Sequence, residues 1–502
     1  MTLSEVLAGV PLLTELPPSL AQTQVLGLDY DSRRVGPGFL FFAFPGSRVD
    51  GREFAAQAVT RGAMAIVSEL PAPTGVSAPW LQVAHGRHAL ALASKNFYGK
   101  LDEKIPLTGI TGTNGKTTTS YLVDSILRTA GKTTMLAGTI EYHLGSKILP
   151  AANTTPESLD LHRMFAELDG LAGNSKAATM EVSSHALSLG RVYGLQFQTA
   201  VFTNLTQDHL DFHHTMEDYF AAKRLLFTGS GAPPPRFSVV NRDDEWGRKL
   251  AVLGTTSDLL LYGLGSEAMV RARHIHSSLS GLRFDITFDK LRFEISSRLI
   301  GKVNVYNILA ACCAGMTFQL PPEIIVRGIE ACAGVPGRFE RVDEGQPFAV
   351  VVDYSHTEDA LLNAISVART LNAKRVITLF GCGGDRDRAK RPLMGQAAGE
   401  LSDLVVLTSD NPRSEEPLQI MNDALVGLRR TNTRTIVEPD RAVAIRKAIE
   451  EAHAGDVVIL AGKGHETYQI FRDRTIHFDD REVAREALRS FGFGNRGGGA
   501  GS

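Results

Sequence analysis

The segment Ile105-Pro106-Leu107-Thr108-Gly109-Ile110, running into Thr111-Gly112-Thr113-Asn114-Gly115-Lys116-Thr117-Thr118, sets the architecture of this chain. An apolar run enters a glycine-bearing turn, and a helical pattern with Leu122 and Ile126 on one face leaves it. That order is the strand, loop and helix of a phosphate loop. Glycines let backbone N–H groups close on phosphate oxygens, and the helix N-terminus adds partial positive charge. Lys116 is placed to neutralise β and γ phosphates, and the Thr117 hydroxyl to ligate Mg²⁺. The generic motif wants glycine where Ile110 stands, so the match is to a particular variant of the loop.

Outward from the loop, short apolar runs alternate with helical patterns as far as Gly334, as in a parallel α/β sheet. Ala177–Val182 reads as a strand carrying Glu181, and Ala200–Asn204 as another, followed by His209. Both would deliver side chains to the carboxyl edge beside the loop, where carboxylate and imidazole suit a metal bridging phosphates. Gly229–Arg236 reads as a surface loop, and Arg271–Ile300 alternates like antiparallel strands. Beyond Pro336, strands at Phe348–Val352, Arg375–Phe380, Leu404–Leu407 and Val457–Leu460 predict a second doubly wound sheet. The expected domains are 1–102, 103–335 and 336–494, with a Gly-rich, disordered tail at 495–502. The fold class is α/β throughout.

The chain has 502 residues, enough for about three domains, and a formal net charge of −2. With 43% hydrophobic and 22% charged residues it is neither a disordered nor a disulfide-stapled chain. The charge balance excludes a general nucleic-acid coat or a polybasic membrane binder, so anionic ligands must meet local cations. The four cysteines form no C-x-x-C pair, and Cys312-Cys313 reads as core. No signal peptide is evident, and Val303–Pro322 reads as a buried helix with its exit loop. These features predict a reduced, cytoplasmic setting.

The wording Gly112-Thr113-Asn114-Gly115-Lys116-Thr117-Thr118 resembles the Mur ligase family, ATP-dependent amide-forming enzymes of cell-wall and folate metabolism. The resemblance runs from Asp31 to Glu466. It implies a small α/β uridine-binding domain, a central phosphate-loop ATPase domain and a Rossmann-like C-terminal domain. It implies ATP and Mg²⁺ as cofactors, with Lys116, Glu181, His209 and Lys223 as the catalytic set. Thr117, Glu181, His209 and Lys223, the last as a carbamate, would hold the metal. A bare ammonium repels Mg²⁺, whereas a carbamate is an anionic oxygen ligand. Asn304 and Asn307 match residues near the base, and Arg338 and Asp353 match residues that help close the ATP site. After Asp353 the family commonly has Ala and Pro where Ser355 and Glu358 stand here. Losing that proline would change the stiffness of the loop.

Tyr30, Ser32, Ser47, Arg48 and Val49 resemble the uridine and diphosphate segments of the family. Asn153, Thr154, Thr155, Ser183 and Arg191 match contacts to the muramoyl-peptide part. In the C-terminal region three motifs follow three predicted strands: Gly381–Arg386, Asp410-Asn411-Pro412-Arg413 and Gly462–Glu466. The run from Asp410 to Arg413 resembles the mark of members that add meso-diaminopimelate to UDP-N-acetylmuramoyl-L-alanyl-D-glutamate. Arg413 can grip the distal carboxylate of diaminopimelate bidentately, Arg386 adds a cation, and Glu466 can accept from an ammonium. Lysine lacks that carboxylate and would leave Arg413 unpaired. The resemblance therefore implies a monomeric ligase of small molecules with no nucleic-acid or membrane partner. The same ligation using L-lysine, a folate-glutamate ligase, a phosphate-loop switch without ligase activity and a non-catalytic nucleotide-binding module are the competing readings.

Overall fold

The computed structural model describes residues 1–46, 49–173, 175–253 and 257–494. Ser47, Arg48 and the 495–502 tail lie outside the described residues. The chain forms two compact units, one of Met1–Arg271 with Asn307–Gly328, the other of Ala272–Tyr306 with Ile329 onward.

The first unit holds two sheets. β1 (Gly27–Asp29), β2 (Phe39–Phe42), β3 (Ala63–Ser68) and β4 (Trp80–Gln82) pair in that order, all parallel. Asp29, 1% exposed, accepts from Arg163 at 2.8 Å on the helix Ser158–Gly170, tying this sheet to the next layer. The second sheet contains β5 (Leu107–Thr111), β6 (Thr133–Ala137), β7 (Glu141–Leu144), β8 (Lys147–Pro150), β9 (Lys176–Glu181), β10 (Thr199–Phe202), β11 (Phe237–Asn241) and β12 (Asp258–Gly263). Their order is β12-β11-β10-β5-β9-β6-β7-β8. β5, β9 and β10 are buried along nearly their whole length, which is why they read as unbroken apolar runs rather than alternating ones. β5 lies between β9 and β10, parallel to both, so the loops after all three open on one edge.

β13 (Val270–Ser278) begins in the first unit, and the second unit contains the rest of it with β14 (Gly281–Phe288) and β15 (Leu291–Ser297), which are antiparallel. Its main sheet comprises β16 (Glu340–Val342), β17 (Ala349–Asp353), β18 (Val376–Phe380), β19 (Leu404–Leu407), β20 (Arg434–Val437) and β21 (Val457–Ala461). The order is β16-β17-β21-β18-β19-β20, parallel but for β16. Separate apolar clusters cover its two faces, as a doubly wound sheet requires. Cys312 and Cys313 are fully buried in the helix Lys302–Thr317. Among the described residues no helix is long and apolar enough to cross a membrane.

His162 lies on Ser158–Gly170, 1% exposed, and neither ring nitrogen has a hydrogen-bond partner among the described residues. Burial pushes its pKa down to about 4. The folded form keeps the ring neutral while the unfolded chain protonates it near 6.5, so folding stability falls as pH drops from about 6.5 to 4. We expect this one group to cost on the order of 3 kcal/mol across that window. Melting curves of wild type and His162→Leu against pH check this: the variant should lose that part of the slope, and parallel curves would refute it.

Candidate active site

The phosphate loop closes because its glycines permit what other residues resist. Gly112 has φ 146° and Gly115 φ 85°. A Cβ on Gly112 would overlap the Thr203 hydroxyl, and one on Gly115 the Asn307 side chain. Gly115 then caps the helix Lys116–Thr129 in the left-handed conformation. The segment after β10 braces the loop. Thr113 N donates to Asn204 O at 2.9 Å, Asn114 N to Asn204 Oδ1 at 3.0 Å, and Thr203 Oγ1 to Asn114 O at 2.6 Å. Thr118 is buried one turn into the helix.

Lys116 Nζ donates to the loop carbonyls of Gly112 and Thr113 at 2.9 and 2.8 Å. Lys223, only 1% exposed, donates to the same Gly112 carbonyl at 2.8 Å. Burial first, and the neighbouring Lys116 charge second, hold the Lys223 amine well below the usual lysine range. The amine therefore tends to the neutral, nucleophilic form. Two ammonium groups on one carbonyl would repel, and loss of the buried proton relieves this.

Glu181, at the end of β9, is fully buried. Its Oε2 accepts from Thr117 Oγ1 at 3.0 Å and Thr139 Oγ1 at 3.0 Å, and its Oε1 from Thr139 N at 2.8 Å. All three donors are neutral. A buried carboxylate with no cationic partner among the described residues, joined to a threonine hydroxyl at a phosphate loop, is a donor set that fits Mg²⁺. Sequence reasoning missed Thr139, which sits just past β6 and carries no motif. His209 takes φ 54°, and its ring lies edge-on to His185 at 4.9 Å. Burial pushes His209 down to about 4, leaving a neutral imidazole suited to ligation. Asn307 accepts from Thr119 Oγ1 at 3.5 Å.

From Glu181 the site continues without a break. Thr155 Oγ1 donates to Glu181 O at 2.9 Å and accepts from Ser183 N at 3.0 Å. Thr154 Oγ1 meets Thr139 Oγ1 at 3.1 Å, Asn153 O accepts from Tyr142 at 2.5 Å, and Arg191 donates to Thr155 O at 3.1 Å. In the first sheet the Tyr30 hydroxyl is committed to Asp160 at 2.5 Å, leaving its ring, against Phe44, for contact. Ser32 is 5% exposed with its hydroxyl on Gln57 at 2.7 Å, so that side chain braces its loop from within. Val49 is exposed, and its carbonyl accepts from Gly46 N at 2.9 Å.

In the second unit Asp353 ends β17. It accepts from Phe339 N at 2.7 Å and from Ser355 Oγ, so one departure from the family wording supplies a bond to Asp353 itself. Burial raises the Asp353 carboxyl, against the Ser355 bond and the Arg338 charge. Arg338 lies over the Tyr354 ring at 4.8 Å. Glu358 is the first residue of the helix Glu358–Thr370, capped by Thr357, so the missing proline is replaced by an acid at a helix N-terminus. Asn304, in the first turn of Lys302–Thr317, donates its side-chain amide to Ile300 O at 2.7 Å.

The three C-terminal motifs follow β18, β19 and β21, which are neighbours, and they meet at one edge. Arg413, with φ 53°, donates to Gly384 O at 2.7 Å, which joins the first two. Arg386 is exposed and, among the described residues, hydrogen-bonds only to Asp385 O, at 3.4 Å. Pro412 packs its carbonyl where a Cβ on Gly384 would go. Asp410 Oδ1 accepts from Asn411 N at 2.6 Å, and Gly462 takes φ 113° beside Asp410. Asn411 donates to Glu466 Oε2 at 2.8 Å, and so does Lys463 at 3.0 Å. Lys463 is 0% exposed. The carboxylate expected to meet a substrate ammonium thus already holds an internal one on Oε2.

Two buried arginines that sequence reasoning missed support these loops. Arg391 pairs with Glu415 at 2.7 Å and donates to Gly383 O at 3.3 Å, and its bonds hold the Glu415 carboxyl down to about 2. Arg441 pairs with Asp480 at 2.6 Å, both fully buried, and donates to Ser409 O and Ala461 O, the carbonyls leading into two of the motifs.

A glycine loop between parallel strands, with its lysine turned onto the loop and a buried glutamate one strand away, defines a phosphate-loop nucleotide-binding protein. Family models for the Mur ligase family, catalytic domain (residues 24–98), the Mur ligase middle domain (110–315) and the Mur ligase, glutamate ligase domain (337–464) match the chain. A UDP-N-acetylmuramoyl-L-alanyl-D-glutamate–2,6-diaminopimelate ligase of Solibacter usitatus is 65% identical over 493 residues, covering 98% of this chain and 99% of that protein. The same-named ligase of Geobacillus thermodenitrificans is 46% identical over 469 residues, covering 93% and 95%. A solved structure of a ligase of that name superposes with TM-score 0.70 at 30% identity, over 98% of this chain and 99% of that one. This chain belongs to the Mur ligase family.

Proposed function

We propose that the chain is an ATP-dependent, ADP-forming ligase that joins meso-2,6-diaminopimelate to UDP-N-acetylmuramoyl-L-alanyl-D-glutamate, a step of peptidoglycan precursor synthesis. The meeting of the three C-terminal motifs at one edge, with Arg413 and the Glu466–Lys463 pair among them, carries the reading. The full-length relatives named for that reaction support it. Residues 1–102 anchor the uridine sugar, 103–335 carry the ATP chemistry, and 336–494 select the amino acid. The protein works as a monomer in the cytoplasm.

ATP transfers its γ-phosphoryl group to the D-glutamate carboxylate, and the resulting acyl phosphate is attacked by an amine of diaminopimelate. Phosphate leaves, an amide bond remains, and the attacking amine gives up a proton. Lys116 offsets charge on the transferred group, and the loop N–H groups orient the phosphates. Thr117, Glu181, His209 and Lys223 would hold Mg²⁺, which supplies charge neutralisation at the phosphates. The depressed Lys223 amine is prepared to add to CO₂, forming an N–C bond and releasing a proton to leave a carbamate. Asn307, Asn304, Arg338 and Asp353 serve the nucleotide. Tyr30, Ser32, Ser47, Arg48 and Val49 serve the uridine and diphosphate end. Asn153, Thr154, Thr155, Ser183 and Arg191 serve the peptide end.

The test is a ligation assay with ATP, the nucleotide dipeptide and either meso-diaminopimelate or L-lysine, reading phosphate release and product mass. Diaminopimelate should be ligated in strong preference, and Arg413→Ala should raise its KM by about 10²-fold with the ATP KM unchanged. Preference for lysine would sink the assignment of Arg413. ATP hydrolysis without any ligated product would favour a phosphate-loop switch.

A further inference from the structure

Arg87 opens the helix Gly86–Phe97 and belongs to no motif. Its side chain is 16% exposed, and its Nε has no hydrogen-bond partner among the described residues. Its contacts are an ion pair with Glu157 Oε2 at 3.6 Å and the face of Phe44 at 4.5 Å. Arg191 approaches the same Glu157 oxygen, at 3.5 Å. Glu157 is itself 9% exposed, and among the described residues its second oxygen Oε1 has no hydrogen-bond partner, nor has Nε of either arginine. One carboxylate therefore sits between two guanidiniums and leaves the cluster positive.

A guanidinium carries five donors, and withdrawing them from water without acceptors is costly. Phe44 precedes Gly46–Val49, and Glu157 follows Asn153–Thr155. Arg87 thus touches one residue that leads into the first segment and one that follows the second. We infer that Arg87 is a further binding residue for the nucleotide substrate, donating beside Arg191 to an anionic oxygen, with Glu157 holding the two guanidiniums in position. The inference rests on the proposed nucleotide substrate. The oxygen belongs either to the diphosphate or to a carboxylate of the peptide, both acceptors of the same chemistry.

The test measures direct binding of UDP and of UDP-N-acetylmuramoyl-L-alanyl-D-glutamate to wild type, Arg87→Gln and Arg87→Lys, with ATP binding and thermal melting in parallel. Arg87→Gln should weaken the whole nucleotide roughly ten- to a hundredfold, with ATP affinity unchanged. Arg87→Lys keeps the charge but loses the fork and should fall between. Weakening of UDP as well assigns the diphosphate, and weakening of the whole nucleotide alone assigns a carboxylate; either upholds the inference. If Arg87→Gln fails to fold, Arg87→Lys carries the test, and wild-type affinity in the folded variant overturns it. Equal loss of ATP and nucleotide binding also overturns it, since a structural role predicts that. Should wild type itself not bind the nucleotide, the proposed function fails rather than the assignment of Arg87.

Discussion

Replacing Lys116 with Ala should lower ATP-dependent turnover by roughly 10³-fold or more. Its ammonium is the cation of the loop, bonded twice to the loop backbone. Charge that grows on the transferred group would then lack its preorganised partner, and water substitutes poorly for a fixed dipole or charge. Stability should change by less than about 1 kcal/mol, because the side chain is part-exposed and its bonds to Gly112 O and Thr113 O lie within its own loop. A further consequence follows from the shared carbonyl. With Lys116 gone, one cause of the depressed Lys223 amine disappears, so that amine should shift upward. Phosphate release and product formation, measured beside thermal melting, check the prediction. Turnover within a few-fold of wild type would remove the phosphate-loop assignment.

Arg441→Met should destabilise the second unit by about 3–5 kcal/mol. The substitution leaves Asp480 fully buried without its cation, and it strips donors from Ser409 O and Ala461 O. A buried pair contributes little net stability, yet breaking one side exposes the whole desolvation cost of the other. The double variant Arg441→Met with Asp480→Leu should therefore recover most of the loss. The single variant should also raise the KM for the amino acid, since the two carbonyls lead into Asp410 and Gly462. Denaturant unfolding of the three proteins decides it. A single variant within about 1 kcal/mol of wild type would contradict the argument.

Much of the architecture is legible along the chain because it rests on near neighbours. Leu404–Leu407 is a strand within the bounds its apolar run suggests, and Val303–Pro322 covers a buried helix and its exit. The motifs at Asp410 and Gly462 read correctly as loops following strands, since the punctuation lies within a few residues. Side-chain commitments are less legible. The bond of the Ser32 hydroxyl to Gln57, 25 positions away, leaves no local pattern. Glu466 reads as open to a substrate ammonium but already holds Lys463.

Sequence alone, then, was enough to establish the phosphate loop, the family resemblance and the three C-terminal motifs. Each is a short pattern in which glycines, a strand and a helix start impose their conformation locally. Tertiary structure was needed to bring Thr139 to Glu181, Lys223 to the carbonyl under Lys116, and Arg441 to Ser409 and Ala461. These pairings span 42, 111, 32 and 20 positions. They exist because sheet order brings distant strand ends to one edge, and burial there leaves each polar group no partner but another part of the chain.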